Sequence, residues 1–364
     1  VSNRNKRRDT LRAAQEAKLS SQQKRRREIW LGAIGFIVLA GFVVASLIFL
    51  HMKSDARFTA ALEATEPFSV PSSKHTAGNE IYPTLQALIE MSPEELEKVD
   101  PAIINLRCAE GLPGAKTIDF AATLKMIDEW TAKVKEQTEL YFYLLQQNPD
   151  RFDGLEAKYK MDMMTTVLQQ DIGLQYDPAM IALNGKEDTE FDTFSTDARN
   201  VFIVGLTTRK IGTCSSLPLL YHAICTRLGY PVNVMQSAGH YYLQWKDAKA
   251  TFNIEATSRG GLMCHPDDFY WHWPKPVSFR YAEKFYLFKP LSRRDLLANG
   301  LKSRAEVLMA IHQYEMAILC QRSALDVTDH NKLGMQLVLD SMKAFYMKVV
   351  AWEAEQEVEK PTSQ

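Results

Sequence analysis

The pattern of apolar and polar positions begins with an uninterrupted run. Residues 29–50, IWLGAIGFIVLAGFVVASLIFL, hold 22 positions without a charge. As a helix this run rises about 33 Å at 1.5 Å per residue, against a hydrocarbon core about 30 Å thick. Only a helix or a closed barrel satisfies its own backbone there, so the run predicts a transmembrane helix. A buried core helix is shorter and keeps a polar stripe. A cleaved signal has an apolar stretch of about 7–15 residues ending at a small-residue site, which Phe49-Leu50-His51-Met52-Lys53 does not resemble.

Beyond the run the pattern becomes periodic. Residues 51–80, with Pro67, Pro71, Ser72, Ser73 and Gly78, carry little apolar order and read as a tether. Ser92-Pro93-Glu94-Glu95 is a helix start: a serine cap, proline in the first turn, and acids at the positive end of the dipole. From Ile118 to Asn148, Phe120, Leu124, Ile127, Trp130, Val134 and Leu140 recur at helical spacing with one longer gap. Met161–Leu174 predicts another helix, and 177–198 a loop. A helix is then expected near 214–228, stopped by Gly229. Three short β-rich runs follow at 231–236, 240–246 and 250–256 and predict consecutive antiparallel strands. After about residue 281 three more helices are expected: one capped by Ser292 and ending near Ile311, one at 314–326, and one at 331–357. They read either as helical-hairpin repeats or as an ordinary bundle.

The predicted class is therefore α+β. A basic arm (1–28), a transmembrane helix (29–50) and a tether (51–80) precede a mixed helical and antiparallel-sheet region (81–280). Helical hairpins (281–357) and a tail (358–364) follow.

Charge orients this plan. Residues 1–28 hold ten Lys/Arg and three Asp/Glu, a net +7. Lys24-Arg25-Arg26-Arg27 abuts the run, whereas Lys53, Asp55 and Arg57 flank its far side. The positive-inside rule places the N-terminus in the cytoplasm and everything after residue 50 outside it, on a cell (inner) membrane. The arm suits anionic lipid. No aromatic or structured motif accompanies it, so nucleic acid is not an expected partner. Gly41 and Ala45 form a small-xxx-small pair, a weak signal for helix association. The whole chain is −1, which leaves −8 on residues 29–364. Five cysteines are too few for a disulfide scaffold, and their odd number leaves at least one thiol unpaired within the chain.

Chemistry concentrates in the second half. Cys214 is expected at a helix start, His240 on one strand and Glu255 on the next. A helix N-terminus favours a thiolate. A histidine takes the thiol proton and returns it to a leaving amine, and a carboxylate holds the imidazole tautomer. Gln169 and Gln170 are candidate oxyanion donors, or part of a polar helix face. The aromatic run Phe269, Tyr270, Trp271 and Trp273 lines a cleft or packs beneath a loop, and Cys225 is read as a packed thiol. Cys264, His265 and His272 make a poor metal set, because adjacent ligands chelate badly and no CxxC or HExxH spacing is present. No phosphate loop, dinucleotide fingerprint or serine elbow occurs, so no metal or cofactor is expected.

The stretch GTCSSLPLLYHAICTRLGYPVNVMQSAGHYYLQW, followed by FNIEAT, resembles the transglutaminase-like superfamily, whose core is papain-like. The likeness to a bacterial subfamily extends through NLRCAEGLPG (105–114), TVLQQDIGLQYDP (166–178), YWHWPKPVS (270–278) and tetratricopeptide-like helices, over roughly residues 90–330. The resemblance implies cysteine-dependent amide hydrolysis or acyl transfer, with Cys214 as nucleophile, His240 as base and Glu255 in place of the usual aspartate. The substrate would be a peptide, protein or wall component near the membrane surface. A related branch lacks the cysteine, so a non-catalytic scaffold or interaction subunit of a membrane complex is the alternative.

Overall fold

The structure, a computed structural model, describes residues 82–183 and 195–358. The expected arm, transmembrane helix and tether lie outside the described residues, as does most of the tail. Among the described residues no helix is long and apolar enough to cross a membrane. The expected α+β class holds in its coarse form: long helices surround one small antiparallel sheet.

Two short helices, Leu85–Glu90 and Pro93–Leu96, open the described chain, and Ser92 and Glu95 close a reciprocal capping box on the second. Helix α1 (Pro101–Ala109) is buried along most of its length. Helix α2 (Phe120–Leu140) buries Phe120, Leu124, Ile127, Trp130 and Val134. The single helix expected to Asn148 stops at Leu140, which is exposed, and a separate short helix covers Tyr143–Gln147. The longer gap in the apolar spacing marks that break: after Val134 the inward position is Thr138, whose hydroxyl donates back to the Val134 carbonyl. Helix α3 (Glu156–Thr166) runs into a π-helical turn at Val167–Asp171.

The segment expected as a loop from 177 contains a short helix, Pro178–Leu183. Pro178 suits a first turn, and the Asp177 carboxylate accepts the Ala179 N–H. Just before it, strand β1 (Gln175–Tyr176) pairs in parallel with β2 (Ile211–Gly212). Two-residue strands carry too little periodicity to be read from sequence. Helix α4 (Leu217–Leu228) follows, with Pro218 in its first turn and Gly229 at φ 68° as its left-handed stop.

The sheet has the expected order. Strands β3 (Val232–Ser237), β4 (His240–Lys246) and β5 (Thr251–Ile254) pair antiparallel in sequence order. Ser237 faces His240 across a two-residue turn in which Gly239 takes φ 84°. Helix α4 packs between the sheet and helices α1 and α2, and this sets the thiol region against the start of β4.

Three C-terminal helices complete the fold: α5 (Arg293–Ala310), α6 (Tyr314–Val327) and α7 (Lys332–Val358). Ser292 caps α5 in a capping box with Asp295. These helices are joined tightly to the core. The Phe288 N–H donates to the Gln236 carbonyl and the Leu291 N–H to that of Val234, extending the edge of β3. Arg304 donates to the Cys108 and Glu110 carbonyls at the end of α1. Gly300 lets α5 approach α1, because a Cβ there would lie 2.7 Å from the Cys108 sulfur. Arg293 reaches the buried His222, whose Nδ1–H donates to the Val232 carbonyl and whose Nε2 accepts from the guanidinium at 2.6 Å. Burial and the Arg293 charge push the His222 imidazole down to about 3, so it stays neutral and able to accept.

Candidate active site

Cys214 sits in the turn before α4, two residues ahead of the Ser216 cap, not at the first helical position. The turn is wound by its own polar groups. The Thr213 N–H donates to Ser216 Oγ at 2.9 Å, the Thr213 hydroxyl donates to the Asn200 carbonyl, and the Leu217 N–H reaches the Thr213 carbonyl. Gly212 is required here, since a Cβ would fall 2.6 Å from a Leu206 methyl and 2.7 Å from Ser216 Oγ. Cys214 remains partly accessible, whereas Cys108, Cys225 and Cys320 are fully buried. All five cysteines are free thiols. Burial drives the thiols of Cys108 (to about 12), Cys225 and Cys320 upward, away from reactivity at neutral pH.

His240 opens β4 and is 5 % exposed. Its Nε2 meets Glu255 Oε2 at 2.8 Å, and Cys214 is among the side chains that act on its titration. Burial alone would lower this imidazole; its interactions with Cys214 and Glu255 prevail and raise it to about 9.

Glu255 lies one residue beyond β5. The ladder pairs Leu243 with Ile254; continued in register, it would set Thr257 opposite His240. The chain leaves the ladder instead, with the Glu255 N–H donating to the Met263 carbonyl. The acid therefore reaches His240 on a diagonal, where Cβ atoms lie about 7–8 Å apart and only long side chains meet. The extra methylene of glutamate over aspartate spans that offset. Its other oxygen, Oε1, accepts from the Thr257 N–H (2.9 Å) and hydroxyl (2.5 Å), and the Tyr270 hydroxyl donates to Oε2 at 3.4 Å. Burial would raise the carboxyl, but these bonds and the His240 charge hold it below the ordinary glutamate range.

The aromatic run divides between two roles. Tyr270 is core, stacked on Tyr242 at 3.7 Å. Trp273, 39 % exposed, sets its ring edge-on to His240 at 4.5 Å and covers the imidazole from solvent. Gln169 is committed elsewhere: its amide donates to the Ser258 carbonyl and its oxygen accepts from the Gly261 N–H, tying down the loop after Glu255. Gln170 is exposed on the π turn. The backbone N–H of Cys214 meets no acceptor among the described residues, so it remains open to a developing oxyanion. Tyr176 was not legible as a site residue. The β1–β2 ladder places it opposite Gly212, and burial with the charges of Cys214 and Glu255 keeps its phenol protonated. Only the presence of Tyr176 in the subfamily stretch hinted at it.

Cys264, His265 and His272 each have separate surroundings. His265 stacks on Phe269 at 3.8 Å, His272 Nδ1 bonds the Asp268 carbonyl, and burial raises the Cys264 thiol. Among the described residues one group of ligand-type side chains does converge: Asp295, Asp329 and His330. Asp295 already accepts from the Thr328 hydroxyl, the backbone N–H of Asp329 and His330, and His330 Nδ1. Arg294 holds Asp329. This cluster closes the start of α5 onto the α6–α7 connection.

No protein-family model, curated protein or solved structure matches the chain.

Proposed function

We propose that this chain is a cysteine-dependent acyl-transfer or amide-hydrolysing protein on a transglutaminase-like scaffold, anchored by residues 29–50 and acting outside the cytoplasm near the membrane surface. The observation that carries the reading is the buried His240–Glu255 pair at 2.8 Å, whose imidazole is raised partly by the partly accessible Cys214. A protonated imidazole is the partner a thiolate needs. In the proposed cycle, Cys214 Sγ attacks an amide carbonyl carbon, and the oxyanion that forms is met by the Cys214 N–H. The C–N bond breaks, and His240 donates its proton to the departing amine, leaving a thioester. Water or a second amine then attacks the thioester carbonyl and gives its proton to His240. The thiolate leaves, the acyl product is released, and the proton balance is restored. Glu255 orients the ring throughout, and Trp273 shields it.

Iodoacetamide labelling of the folded chain, read by peptide mass analysis, tests this. Cys214 should label at least tenfold faster than Cys108, Cys225 or Cys320, and His240→Ala should remove most of that excess. Equal rates at Cys214 and the buried thiols would sink the catalytic reading and leave a binding role for the scaffold.

A further inference from the structure

The most exposed large apolar side chain among the described residues is Phe279, at 70 %. It opens a short helix, Phe279–Lys284, that turns Ala282 into the core. At about 100° per residue, Arg280 and Lys284 fall opposite Ala282, one turn apart, with Phe279 and Tyr281 on their two flanks. All four are exposed. The loop before the helix adjoins it. Trp271 stacks with Phe279 at 6.2 Å and lies 4.3 Å from Phe288. The Val277 N–H donates to the Trp271 carbonyl, closing a turn that leaves Trp273 and Lys275 exposed.

The cations of this face are unspent. Among the described residues Lys275, Arg280 and Lys284 form no ion pair, and the acid beside them, Glu283, is taken by Lys289 at 3.2 Å. Residues 271–289 hold four Lys/Arg and one Asp/Glu, in a chain that is net acidic beyond residue 28. Exposed rings beside free cations match the boundary of an anionic bilayer. Aromatic rings settle among the headgroups, and Lys and Arg lay their stems along apolar surface while their charges meet phosphate. A second exposed aromatic patch, Leu140, Phe142 and Tyr143, lacks that match: between Glu136 and Asp150 the chain has three acids and no Lys or Arg.

We propose that the face built from Trp273, Lys275, Phe279, Arg280, Tyr281 and Lys284 docks on a bilayer that contains anionic phospholipid. Trp273 also sits edge-on to His240 at 4.5 Å, so docking holds the cover of the imidazole at the lipid surface. The proposal rests on the anchored reading for why a bilayer is at hand, and residues 51–81, at most about 110 Å when fully extended, allow the contact. The test uses the full-length chain in two sets of lipid nanodiscs, phosphatidylcholine alone and phosphatidylcholine with phosphatidylglycerol. Both carry a phospholipid with a diazirine near its headgroup, and photo-adducts are mapped by peptide mass analysis. Adducts in 271–284 should exceed those in 136–150 at least fivefold in the anionic discs. Lys275→Glu/Arg280→Glu/Lys284→Glu should remove that excess, Phe279→Ser should cut it at least threefold, and phosphatidylcholine alone should not support it. Iodoacetamide labelling of Cys214 should stay within twofold in both variants, which shows that they fold. Adducts in 29–50 with no excess in 271–284 overturn the docking face and leave it to an acidic protein partner. An excess that is indifferent to phosphatidylglycerol and to the triple variant overturns it as well. Adducts in 271–284 with none in 29–50 defeat the anchor and leave the docking face standing.

Discussion

Among the described residues two histidine–carboxylate pairs are hydrogen-bonded, His240–Glu255 at 2.8 Å and His330–Asp295 at 2.7 Å, while His272 and Asp268 stand at 3.8 Å. By bond length they are alike; they differ in what lies beyond. Cys214 acts on the titration of His240, both partners of the pair are buried, and a tryptophan covers the imidazole. His330 is 39 % exposed in its side chain, stacks flat on Tyr286 at 4.0 Å and has no nucleophile beside it. Its carboxylate spends its remaining capacity on Ser292, on Thr328 and on the backbone N–H groups of Asp329 and His330. An imidazole–acid bond is therefore no signature of catalysis. Both acids are fully hydrogen-bonded, so burial and the surroundings of the imidazole are what separate the two pairs.

The comparison is most sharply broken by removing each acid. Asp295→Ala strips a buried carboxylate from six donors and should cost about 3 kcal/mol in urea unfolding, while Cys214 labelling in the folded chain stays unchanged. Glu255→Gln should do the reverse. Its stability loss should be smaller, but Cys214 labelling at neutral pH should fall about tenfold, which corresponds to roughly 1.4 kcal/mol, as the imidazolium loses its counter-charge. Comparable labelling losses in both variants would erase the distinction.

pH gives a finer test. His240 is raised above its ordinary value of 6.5, so its contribution to stability is complete below that value and disappears as pH rises through about 9. Asp295 and Glu255 are both lowered, Asp295 by its bonds to His330 and Thr328 prevailing over burial. Their contributions hold above the ordinary carboxylate range and disappear as pH falls through their folded values. An NMR titration of the His240 ring should show a midpoint near 9, moving down by about one unit in Glu255→Gln. A midpoint near 6.5 in the native chain would show that the series does not hold the proton.

Much of the architecture was legible because its signals are local. The Ser292 capping box, the Gly229 stop and the alternating strands each depend on a few neighbouring residues, and α5, α6 and α7 begin and end within a residue or two of their expected bounds. The misplaced boundaries have local causes too. The helix expected through Asn148 breaks where a threonine takes an apolar position, and Cys214 precedes its helix because Thr213 and Ser216 wind a separate turn. Tyr176 escaped notice because nothing near it in sequence announces its partner; a two-residue parallel ladder places it against a segment 36 positions away.

By itself, the sequence determined an uncharged run of membrane length, the order of helices and strands, and the Cys–His–acid order that nominates Cys214, His240 and Glu255. Periodicity, capping and charge are written in adjacent residues, and the Cys–His–acid order needs only a helix and two neighbouring strands. Only the tertiary structure decided that glutamate meets histidine on a diagonal, that Gln169 anchors a loop, and that α5 packs closely on α1. Those outcomes depend on register and on contacts between distant segments, where a shift of one residue redirects every side chain.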